Sequence, residues 1–194
     1  KRRVLWTVSL MNITPLFPSF LATEDTSKII DVNSIQQYCN VTGDGNTDAY
    51  SKALLPLTNW ITEQANNLRD LQGINSEIPF TLDDCWINCI GPNDEHNSPP
   101  NFPHSHSTSW ISFVYYVNYA TDAGSLVLMS PHQNTELSMP RKIVSDANIF
   151  NAVRWSVIPT NGLVVAFPGW LTHYVEPNHS DETRISIAYN FSLQ

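Results

Sequence analysis

Positive charge is scarce in this sequence: 10 Lys and Arg stand against 18 Asp and Glu, a formal net charge of -8. That balance excludes a generic basic nucleic-acid surface, and a nucleic-acid substrate would need a local basic groove. Cysteine is also sparse. Cys39, Cys85 and Cys89 are an odd number with no close-spaced pair of metal-ligand type, which excludes a disulfide framework and a zinc knuckle and leads us to expect a reducing, cytoplasmic setting. Long hydrophobic runs are missing as well: no window approaches the ~18 apolar residues of a membrane helix, so no membrane partner is expected. The start, Lys1 to Arg3 followed by Val4 to Met11, has the charge order of a signal peptide. Its apolar stretch is short, contains Thr7 and Ser9 and has no small-x-small cleavage site, so it reads as a first strand. Internal repeats are absent, and the Asn-x-Ser/Thr triplets at Asn12, Asn40, Asn178 and Asn190 read as chance in an Asn-, Ser- and Thr-rich chain.

What is present suits one domain over residues 1–194, long enough to bury a core unaided. The pattern changes near Ile74. Residues 1–74 read as a first strand and helical support, with a helix from Leu55 to Gln72. There Leu57, Trp60, Ile61, Ala65, Leu68 and Leu71 fall at helical spacing, Pro56 sits in the first turn and Gly73 suits the C-cap. Residues 75–194 carry short apolar runs divided by Gly, Pro and Asn: Cys85 to Ile90, Ile111 to Tyr119, Ser125 to Met129, Trp155 to Ile158, Leu163 to Phe167 and Arg184 to Phe191. This is the signature of a β-barrel or sandwich. Glu95 to Pro103 reads as a loop delivering the chain to His104, and the polar stretch Gln133 to Asn151 as a lid.

Chemistry concentrates in two segments. His104-Ser105-His106 on an extended backbone puts both imidazoles on one face, and His173, at the end of Phe167-Pro168-Gly169-Trp170-Leu171-Thr172-His173, can complete a facial metal site. In the last strand Arg184, Ser186, Ala188 and Asn190 share one face, and Ile185, Ile187, Tyr189 and Phe191 the other. Two readings are open: an edge strand with its polar face in water, or a small barrel with a polar bore and N-terminal helices outside. His96, His132 and His179 read as solvated, and Trp60, Trp110 and Trp155 as core; Trp170 stands beside the candidate ligand His173.

In order, Trp86-Ile87-Asn88, His104-Ser105-His106, Val114-Tyr115-Tyr116-Val117-Asn118, Gly124, Phe167 to His173 and Arg184-Ile185-Ser186 resemble the small 2-oxoglutarate/Fe(II) oxygenases of bacteria and phages. These belong to the double-stranded β-helix superfamily, and the resemblance covers about half the chain. The Val-Tyr-Tyr-Val-Asn strand is also similar to that of the oxygen-sensing prolyl hydroxylases. The resemblance implies a mainly β fold, a double-stranded β-helix (jelly-roll or cupin-like barrel) with supporting N-terminal helices. It further implies a dioxygenase using Fe(II), 2-oxoglutarate and O2, releasing succinate and CO2 and hydroxylating a small-molecule, peptide or protein substrate. His104, His106 and His173 would hold the metal; Arg184, Ser186 and Tyr116 would hold the distal carboxylate of 2-oxoglutarate, with Asn88 and Asn190 lining the bore. One departure stands out: His106 replaces the carboxylate that most of the superfamily carries, which raises the charge of the ligand set by one and also suits zinc. Two alternatives stay open, a cupin-type three-histidine dioxygenase or isomerase that does not use 2-oxoglutarate, and a non-catalytic jelly-roll binding module.

Overall fold

The computed structural model describes residues 19–94, 102–132 and 141–193. The expected strand at Val4 to Met11, the triplet at Asn12, His96, most of the loop from Glu95 and residues 133–140 of the expected lid lie outside the described residues. The elements run β1 (Ala22–Asp25), α1 (Val32–Thr42), β2 (Gly45–Asn46), α2 (Leu55–Leu71), β3 (Phe80–Ile90), β4 (Ile111–Asn118), β5 (Leu126–Met129), β6 (Arg154–Val157), β7 (Leu163–Pro168), β8 (His173–Val175) and β9 (Arg184–Leu193). Two sheets form, a larger one ordered β1-β7-β4-β9-β3-β2 and a smaller one ordered β6-β5-β8, and every named pairing is antiparallel.

The helices form where local chemistry ends them cleanly. Asp31 caps α1, accepting from the backbone N–H groups of Asn33 and Ser34 at 3.1 and 3.3 Å. Pro56 occupies the first turn of α2, where its missing N–H has no intrahelical role. Gly73, at φ 68°, closes α2 with a paired stop: its N–H reaches Asp70 O at 3.0 Å, and Ile74 N reaches Arg69 O at 3.2 Å. No helix among the described residues is long and apolar enough to cross a membrane.

Both helices lie on the outer face of the larger sheet. Ile35 and Cys39 of α1 and Leu57, Ile61 and Ala65 of α2 join Ile87, Phe113, Tyr115, Ile185, Ile187, Tyr189 and Phe191 in one core. This decides between the two readings of the last strand. Residues 184–191 are buried on both faces, so β9 is a central strand flanked by β4 and β3 and not an edge in water. A second core of Tyr116, Leu126, Leu128, Val165, Phe167 and Leu171 joins the two sheets. Trp60 and Trp110 pack against the first core, but Trp155 is 45% exposed, because β6 is an outer strand of the small sheet with three exposed residues. Two of the glycosylation-like triplets are structural: Asn178 is fully buried, donating to the carbonyls of Ile90, Gly91 and Glu182, and Asn190 is buried in β9.

Candidate metal centre

The metal-ligand candidates come from two backbone segments that pair directly. His104 N donates to His173 O and His173 N to His104 O, both at 2.9 Å, so the two residues oppose each other at the margin of the small sheet. The next turn of chain is fixed by His106 N donating to Gly169 O at 2.8 Å. Gly169 is needed there because a Cβ would run into the backbone of Ser109, 2.8 Å from its carbonyl carbon. The three rings then converge, with centroids 4.4 Å apart for His104 and His173, 5.2 Å for His106 and His173, and 5.3 Å for His104 and His106. One ring nitrogen from each lies within 4.8 Å of the others.

Tautomers follow from the hydrogen bonds. His104 Nδ1 lies 2.7 Å from Phe102 O and His173 Nδ1 2.8 Å from Leu171 O. A carbonyl only accepts, so Nδ1 carries the proton in both rings and Nε2 keeps its lone pair, the arrangement a metal-binding histidine needs. Burial pushes the His173 pKa down to about 4, against the raising effect of the Leu171 carbonyl and with His104 and His106 lowering it further. Burial also lowers that of His106, as does His104, while Asp84 opposes the shift. Both rings therefore present neutral imidazole at neutral pH, and the donor set fits a transition-metal ion.

Strand parity builds the rest. The three histidines, Asn88, Tyr116, Arg184, Ser186 and Asn190 all line one cavity of about 540 Å³ between the sheets. Tyr116 on β4 and Asn88 on β3 each stand opposite Ser186 on β9. Arg184 is 2% exposed, and its Nη1 donates to the carbonyls of Ala123 and, at 2.9 Å, Glu176. Gly124, at φ 85°, makes room for it, since a Cβ there would stand 2.7 Å from Nη1. Besides these backbone carbonyls, the charge of Asp94 acts on the buried guanidinium. Burial lowers its pKa, yet a guanidinium stays charged at any physiological pH. Tyr116 Oη is likewise buried without a hydrogen-bond partner, and burial raises its pKa. A buried cation beside an orphaned hydroxyl fits a carboxylate-bearing ligand.

The two asparagines are already engaged. Asn88 Oδ1 accepts from Trp86 Nε1 at 3.1 Å, and Asn190 Oδ1 accepts from Ser112 Oγ at 2.7 Å. Sequence reasoning gave no role to Trp86 or Ser112. Trp86 stacks edgewise on His106 at 5.5 Å, and both residues line the cavity. The signal was available: Trp86 shares a strand face with Asn88, as Ser112 does with Val114 and Tyr116. Trp170 is 48% exposed and does not line the cavity; His132 and His179 are exposed, as expected.

Comparison with known proteins bears on the fold and the family. No curated protein matches in sequence. Among solved structures, the chain is similar to a Pseudomonas putida prolyl-4-hydroxylase, with 15% identity, TM-score 0.59, and 89% of this chain and 84% of that one covered. It is also similar to the non-haem α-ketoglutarate-dependent carbocyclase SnoK of nogalamycin biosynthesis, with 12% identity, TM-score 0.57, and 90% and 79% covered. A third likeness is to a 2OG-Fe(II) oxygenase family oxidoreductase from Burkholderia pseudomallei, with 16% identity, TM-score 0.51 and 74% of this chain covered; the match spans 58% of that longer chain. At these identities the likenesses show the fold, a double-stranded β-helix, as the resemblance implied. Residues 84–190 match the family model described as "Putative 2OG-Fe(II) oxygenase". That span runs from the strand carrying Trp86 to the one carrying Arg184 and takes in more than half of the sequence, so the chain belongs to the 2OG-Fe(II) oxygenase family.

Proposed function

We propose that this protein is an Fe(II)- and 2-oxoglutarate-dependent dioxygenase that hydroxylates a small-molecule, peptide or protein substrate. The observation that carries the reading is the buried Arg184 with the orphaned Tyr116 hydroxyl, in the same cavity as three convergent imidazoles. His104, His106 and His173 hold the metal through neutral ring nitrogens. Arg184, Ser186 and Tyr116 hold the distal carboxylate of 2-oxoglutarate by charge and hydrogen bonds. The Trp86–Asn88 and Ser112–Asn190 bonds fix the polar wall between these two ends. Val114, Leu126, Phe167 and Val175 line the cavity with apolar surface and keep water from the reacting centre. The bound metal and cosubstrate supply O2 activation coupled to oxidative decarboxylation, giving succinate and CO2. Asp44 and Asn46, the exposed members of the lining, mark the β2 side as the way in for substrate. The three free thiols support a cytoplasmic setting.

The test is anaerobic titration of Fe(II)-loaded protein with 2-oxoglutarate, following the weak visible charge-transfer band of the bidentate complex. We expect a band in the wild type and a loss of cosubstrate affinity of about 2–5 kcal/mol in Arg184→Ala, as for other truncated buried charge contacts. Metal binding without a band would favour the cupin-type reading, and failure to bind metal would favour a binding module.

A further inference from the structure

A divalent ion held by three neutral imidazoles meets no negative ligand from the protein. It also shares its cavity with the Arg184 cation, itself buried and hydrogen-bonded to two backbone carbonyls. Among the described residues the single carboxylate lining the cavity is Asp44, exposed and already accepting from Cys89 N at 2.8 Å. Asp84 acts on His106, and Asp94 on Arg184, from outside that lining. Positive charge therefore accumulates in a partly dry space, where like charges repel more strongly than in water. A dianionic cosubstrate removes the excess at both ends, one carboxylate at Arg184 and the other at the metal.

From this imbalance we infer that His106 makes metal retention depend on the dicarboxylate: the metal binds weakly alone and tightly with 2-oxoglutarate, and replacing His106 by a carboxylate residue uncouples the two. The inference rests on the proposed 2-oxoglutarate site. Coupling between two ligands is reciprocal, so each raises the affinity of the other by the same factor. Chelation alone also links metal and cosubstrate, but it acts equally whichever side chain occupies position 106. The part of the coupling that changes in His106→Asp measures the charge effect.

The experiment measures Mn(II) affinity by electron paramagnetic resonance, which counts free ion and needs no turnover, with and without saturating 2-oxoglutarate. In the wild type we expect 2-oxoglutarate to tighten Mn(II) binding by at least about tenfold, within the usual range of such couplings. His106→Asp should bind Mn(II) alone more tightly than the wild type and show a several-fold smaller enhancement. Arg184→Gln gives an independent reading that leaves the metal ligands intact: its affinity for Mn(II) alone should rise while its enhancement falls. Near-ultraviolet circular dichroism of each metal-free variant checks the fold, and if His106→Asp does not fold, the Arg184→Gln result decides. Equal enhancement in wild type and His106→Asp, or weaker binding of Mn(II) alone by Arg184→Gln, would overturn the inference while leaving the dioxygenase reading in place. Tight Mn(II) binding with no 2-oxoglutarate binding at any metal concentration would instead remove the dioxygenase reading.

Discussion

At the scale of single residues the site is defined by groups left unsatisfied. A buried hydroxyl without a partner costs about 1–3 kcal/mol, and one that faces a cavity can recover that cost from a ligand. Tyr116 Oη is in that condition beside Arg184 and opposite Ser186. Tyr116→Phe removes the orphan and should leave the metal-free protein at least as stable as the wild type. The same change deletes a donor to a carboxylate, so the 2-oxoglutarate Kd should rise by between one and two orders of magnitude, from about 1.5–3 kcal/mol for a charged hydrogen bond. Thermal midpoints of the metal-free proteins and a cosubstrate titration read the two effects separately. Lower stability with unchanged affinity would mean that the hydroxyl serves the fold.

At the scale of elements, what was legible in the sequence follows the length and regularity of each segment. Runs such as Ile111 to Tyr119 and Arg184 to Phe191 announced strands, because β-branched and aromatic residues recurring with a period of two over eight positions match a strand and not a helix. The parity of β9 grouped Arg184, Ser186 and Asn190 on one face, and the structure turns that face to the cavity. β1, β2, β8 and α1 were too short or too polar to show. β2 has two residues and β8 three, and β1, with the sequence Ala-Thr-Glu-Asp, exists by pairing with β7. α1 carries poor helix formers such as Asn33, Ser34 and Asn40 and buries only Ile35 and Cys39, so its caps, Asp31 and Gly43, were the one available signal. α2 was legible because its apolar face is continuous, and that face packs on the sheet behind the site. Ile61 is fully buried in the shared core, so Ile61→Ala should cost about 2–5 kcal/mol by urea denaturation. Leu71→Ala, at a position 80% exposed on the same helix, should change stability by less than about 0.5 kcal/mol. Equal losses would mean that α2 does not pack on the sheet through the face carrying Ile61.

At the scale of the whole molecule, one sheet works on two sides: its outer face anchors both helices, and its inner face carries the cavity. The cysteines report on whether these layers separate. Cys39 on α1 and Cys85 on β3 are buried where helix and sheet meet, and burial pushes both thiols up to about 12. Burial and Asp44 also raise the half-buried Cys89. A raised pKa keeps a thiol protonated, and the thiolate is the reactive form, so between pH 7 and pH 9 the folded protein should hold Cys39 and Cys85 in the inert state, with Cys89 less ionised than a free thiol. Labelling with a disulfide reagent should be slow in native buffer, with Cys89 the first to react, and complete at three thiols per chain in denaturant. Because access to Cys39 requires α1 to leave the sheet, its labelling rate should rise in step with unfolding as urea is added and not before. Fast native labelling of Cys39 would show that the helical layer opens independently of the sheet, and the site would then be built on the strands alone.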